Sequence, residues 1–123
     1  MSRVYYNKLI RDHIPDKILA NGEECEVRVI EDSQEFEQEL LKKITEEAYG
    51  LAHTTSREEF LDEYADLMTV LDALMEKYEF SEADISLAIK QNVEKKGLFK
   101  KRNFLHWSSG GQYQSNETVR GEQ

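Results

Sequence analysis

Phe60, Tyr64, Leu67, Leu71, Leu74 and Tyr78 recur at alternating steps of four and three residues. An α-helix turns ~100° per residue, so such steps return each side chain to one face. The spacing commits the middle of the chain to an amphipathic helix and excludes a strand, whose period is two. Ser56, with Glu59 three residues on, offers a capping box at its start, and the pattern runs to about Tyr78. A second stripe, Phe36, Leu40, Ile44 and Leu51, follows a further capping box at Asp32 and Glu35 and predicts a helix to about Leu51. HTTS at 53–56 is the loop between the two. Ser81 and Asp84 open another helix that Gly97 ends.

The N-terminal part is less regular. A helical stretch lies at about Asn7 to Ala20, and Pro15 interrupts it, leaving Lys8–His13 as a separate turn. Asn21-Gly22 is a turn. In ECEVRVI, residues 24–30, Cys25, Val27 and Val29 alternate with Glu24, Glu26 and Arg28, the period of one short strand or an extended arm. Cys25 reads there as a packing residue. The expected fold is all-α: an antiparallel bundle of about four helices with that short strand or arm. One domain is expected over 1–107, followed by a flexible polar tail at 108–123.

Charge narrows the partners. The net charge of −9 disfavours nucleic acid, whose phosphates need a basic face. No apolar run approaches the ~18 residues of a membrane span. The N-terminus lacks the apolar core of a secretion signal, and the lone Cys25 suits a reducing compartment, so a cytoplasmic location is expected. A core of this size leaves room for support from a second copy.

The acids are the anomaly. Glu63 falls inside the apolar stripe of its helix, and Asp66 sits at its edge one turn later. Glu47 lies within the preceding stripe, seven residues after Leu40, while Glu46 points about a quarter turn aside. Two facing helices would bring Glu47, Glu63 and Asp66 together. Carboxylates so placed stay protonated, pair with Lys or Arg, or bind a cation. A cluster of hard oxygen donors suits Mg2+ or Mn2+, completed by water and substrate phosphates. Basic residues gather late, at Lys90, Lys95, Lys96, Lys100, Lys101 and Arg102, with Lys8 and Arg11 near the start. They read either as a phosphate cradle or as helix-terminal charges that complement the dipole. Asn92 is a further polar candidate. His13, His53 and His106 have no zinc spacing, and there is no P-loop or glycine-rich dinucleotide turn.

YNKLIRDHIPDKI at 6–18 resembles the opening of the MazG-like all-α nucleoside triphosphate pyrophosphohydrolases, the phosphoribosyl-ATP pyrophosphohydrolase-like group. CEVRVI at 25–30, KKITEEAYG at 42–50, EYAD at 63–66 and EKKGLFKKRNFL at 94–105 follow in that group's order. The resemblance implies Mg2+-dependent cleavage between the α- and β-phosphates, giving a nucleoside monophosphate and pyrophosphate, in nucleotide-pool house-cleaning. It implies metal ligation by Glu47, Glu63 and Asp66, with Glu46 as a further ligand or water-orienting group. Glu46 and Glu47 would be the catalytic acids. Lys8, Arg11, Asn92, Lys95 and Lys96 would bind the substrate phosphates. It also implies a homodimer or higher homo-oligomer. Gly50 departs from the pattern, since the group carries a third acid there. Lys96, Gly97 and Leu98 also stand where the group more often has Arg-Gly-Gly. Two other readings stay open: a family member that binds nucleotide without hydrolysing it, and a helical interaction dimer without a ligand.

Overall fold

The computed structural model describes residues 2–109. It contains four helices, and among the described residues there is no strand. The chain divides into two compact units, Met1–Ile85 and Ser86–Gln123. The tail expected from residue 108 falls almost wholly outside the described residues.

α1 spans Ile14–Ala20. Pro15 sits in its first turn, so the proline starts the helix rather than interrupting one. The missing N–H costs nothing there, and the ring presets φ. Gly22, at φ +79°, turns the chain out of the helix.

Of the two expectations for 24–30, a short strand or an extended arm, the strand is not formed. A strand needs a backbone partner, and none exists among the described residues. Cys25, Val27 and Val29 are exposed rather than packed, which corrects the reading of Cys25. The arm is tied down by charge instead: both terminal nitrogens of Arg28 donate to the Glu35 carboxylate.

α2 spans Ser33–Ala52 and α3 spans Arg57–Lys77. Each begins at the capping residue read from the sequence. Asp32 accepts the Glu35 N–H at 3.2 Å, and Ser56 accepts the Glu59 N–H at 3.1 Å. Glu35 does not close its box, because Arg28 holds its carboxylate. The Glu59 carboxylate accepts the N–H and hydroxyl of Thr55, each at 2.8 Å. Ser56→Ala is expected to cost about 1 kcal/mol of stability, measured by urea denaturation at unchanged m-value.

The short loop at 53–56 folds α2 and α3 into an antiparallel hairpin. Leu40 from α2 meets Val70 and Leu74 from α3, the buried core among the described residues. Leu9, Phe36, Ile44 and Ala73 pack around it. At the far end the Tyr78 hydroxyl donates to Glu37, which with loss of hydration raises the phenol's pKa. The α3 stripe is not buried along its whole length: Phe60, Tyr64 and Tyr78 remain exposed. One neighbouring helix covers only part of the stripe.

α4 spans Glu82–Lys96. Here the capping box is reciprocal: Ser81 N–H donates to Asp84 at 2.9 Å, and Asp84 N–H to the Ser81 hydroxyl at 3.1 Å. Gly97, at φ +79°, closes the helix with its N–H on the Val93 carbonyl at 2.7 Å. No helix among the described residues is long and apolar enough to cross a membrane.

Candidate metal site on the α2–α3 hairpin

The antiparallel register sets the C-terminal half of α2 against the N-terminal half of α3. Glu47, Glu63 and Asp66 each offer a carboxylate oxygen, and these oxygens all lie within 4.8 Å of one another. Neighbouring oxygens on one octahedral Mg2+ stand ~3 Å apart and opposite ones ~4 Å, each ~2.1 Å from the ion. Side-chain movements of about 1 to 2 Å would bring the three into one such shell. The donor set is oxygen alone, which fits Mg2+ or Mn2+ and not a soft metal.

The two glutamates of KKITEE are not equivalent. The Glu47 side chain keeps 17% of its exposure and Glu46 keeps 43%, so Glu47 is the one turned inward. Glu46 lies beside the cluster and takes a hydrogen bond from Lys8 at 2.6 Å. That bond, aided by the Lys43 charge, holds the Glu46 carboxyl below the usual range. Glu63 moves the opposite way. Lost hydration raises its pKa, and the nearby charges of Asp66, Glu47, Asp62 and Glu59 raise it further. No basic side chain pairs with Glu63 among the described residues. Crowding by like charge disfavours the ionised form of Glu63.

Gly50 stands directly against this acid. A Cβ at position 50 would lie 2.8 Å from Glu63 Oε2 and 3.3 Å from its Cδ. The space an acid at position 50 would enter is therefore occupied by the Glu63 carboxylate. An open cleft of about 310 Å³ adjoins it, lined by Gly50, His53, Thr54, Glu59, Asp62 and Glu63.

The N-terminal segment lies on the same face. Arg11 Nη1 stands 3.5 Å from Asp66 Oδ1, alongside the Lys8 contact to Glu46. Lys43 was not among the residues singled out from the sequence. Its Nζ lies 3.6 Å from Glu46 Oε2 and 3.6 Å from Glu47 Oε1, with only 12% of its side chain exposed. The i, i+3 and i, i+4 spacing from Lys43 was a legible signal for it. Asn92, Lys95 and Lys96 are exposed on the last turns of α4, in the second unit.

No family model, curated protein or solved structure matches this chain.

Proposed function

We propose that this chain is a Mg2+-dependent nucleoside triphosphate pyrophosphohydrolase of the MazG-like all-α kind. The observation that carries the reading is the convergence of Glu47, Glu63 and Asp66 from two helices to within 4.8 Å. Glu47, Glu63 and Asp66 hold the cation, which when bound supplies charge neutralisation and Lewis acidity to the phosphates. Glu46, beside them and more open to water, orients the attacking water. Lys8 and Arg11 reach the same face and meet the polyphosphate. The phosphate role of Asn92, Lys95 and Lys96 rests on the sequence alone. Water and nucleoside triphosphate give nucleoside monophosphate and pyrophosphate.

A homo-oligomer belongs to the same proposal. The buried hydrophobic side chains among the described residues are Leu40, Val70 and Leu74, while Phe60, Leu61 and Tyr64 on α3 stay exposed. A second copy covering them would enlarge a small core.

The test is a panel of ordinary and base-modified nucleoside triphosphates with Mg2+ and Mn2+, read by pyrophosphate release. Release from at least one is expected, together with a melting temperature that rises with Mg2+ alone, since a ligand bound only to the folded state stabilises it. No release and no metal-dependent shift would refute the reading. Gly50 favours a second one, a nucleotide-binding protein that does not hydrolyse. Calorimetry showing tight nucleotide binding with no pyrophosphate release would select it.

A further inference from the structure

The segment Asn7–Arg11 is built to present two cations to one acidic face. Asn7, at φ +47°, turns the chain in a conformation that asparagine tolerates better than most residues. Leu9 then packs against the Leu40, Val70 and Leu74 core. With Leu9 anchored, Lys8 reaches Glu46 and Arg11 reaches Asp66, on either side of it in sequence. Lys43 lies between Glu46 and Glu47. Three cations thus serve the four carboxylates Glu46, Glu47, Glu63 and Asp66, leaving one negative charge unmatched.

Both strap contacts are partly solvated. The Lys8 and Glu46 side chains keep 39% and 43% of their exposure, and those of Arg11 and Asp66 keep 55% and 39%. Ion pairs in such settings are weak and exchange readily. A doubly charged ion held by Asp66, Glu47 and Glu63 competes with Arg11 directly for Asp66, and its charge beside Glu46 weakens that carboxylate's hold on Lys8.

Resting on the metal reading above, we propose that Asn7–Arg11 is a strap displaced by divalent cation. Lys8 and Arg11 neutralise Glu46 and Asp66 while no ion is bound. When the ion takes Glu47, Glu63 and Asp66, Arg11 is displaced from Asp66 and the ion's charge loosens Lys8 from Glu46, on the face where anionic phosphate must arrive. Glu46 becomes free at the same moment to hold water. Cation binding and phosphate binding are then coupled through two side chains, with Leu9 holding the backbone in place.

The test uses the full chain with Mg2+ alone and no nucleotide. Lysine acetylation, read by mass spectrometry, reports access to each amine. Lys8 is expected to label faster once Mg2+ saturates the protein, while Lys42 keeps its rate. Calorimetry is expected to show tighter Mg2+ binding in Lys8→Ala/Arg11→Ala, by about two- to fivefold for each pair lost. Lys17→Ala/Lys42→Ala removes the same charge elsewhere and should change the affinity less than about twofold at physiological salt. Unchanged Lys8 labelling at saturating Mg2+, or equal affinity gains in the two double variants, overturns the strap and leaves the metal site standing. Absence of any Mg2+ binding by the parent chain overturns both.

Discussion

Glu63→Gln is expected to reduce pyrophosphate release by about 100-fold or more, above the 10–100-fold typical of losing a group that merely supports a ligand. The Mg2+-dependent rise in melting temperature should vanish with it. The same change is expected to raise the melting temperature of the metal-free protein at neutral pH. The folded state holds the Glu63 pKa above its ordinary value, through lost hydration and through Asp66, Glu47, Asp62 and Glu59. Such a group binds protons better in the folded chain. Its penalty is absent at acid pH and appears as pH rises through the carboxylate range into the raised folded value. Glutamine removes the charge and with it the penalty. Metal-free Glu63→Gln should therefore lose less stability than the parent between acid and neutral pH. Thermal melts with chelator across that range check this. A variant that melts below the parent at neutral pH would show that the Glu63 carboxylate makes stabilising contacts that outweigh its repulsion by Asp66, Glu47, Asp62 and Glu59.

Gly50→Ala is expected to separate stability from metal binding. Alanine in a helix interior is favoured over glycine by about 1 kcal/mol, so the metal-free protein should melt a few degrees higher. The added Cβ would lie 2.8 Å from Glu63 Oε2, so the carboxylate must swing away. A flexible glutamate can do this without unfolding the hairpin. Mg2+ affinity is expected to fall about tenfold, as for other losses of ligand orientation. Calorimetry that finds the affinity unchanged would show that Glu63 is not a ligand in its present position. Gly50→Glu carries the same Cβ. It displaces Glu63 before it can add an acid, so the structure predicts no gain in rate from that substitution alone. The sequence resemblance predicts the reverse, and the two variants together decide between them.

The legible parts of this protein share a short range. The caps at Asp32, Ser56 and Ser81 lie three residues from the backbone N–H groups they accept. The stripes that built α2 and α3 depend on steps of three and four. The inward turn of Glu47 and the outward turn of Glu46 follow from the same helical geometry. Lys43 is legible by the same logic, three and four residues before Glu46 and Glu47. Where local pattern failed, the deciding partner was distant or absent. ECEVRVI alternates as a strand does, yet alternation supplies no hydrogen-bonding neighbour, and the segment is held by Arg28 on Glu35.

By itself the sequence determined α2, α3 and α4, their starts and stops, and which acids face inward, because periodicity, caps and glycine conformation act within about one or two turns. Only the tertiary structure decided what those acids meet. Lys8 lies 38 residues from Glu46, and Arg11 lies 55 from Asp66. Such contacts depend on the register of α2 against α3 and on the anchoring of Leu9. The same register turned Gly50 from a missing ligand into the space that the Glu63 carboxylate occupies.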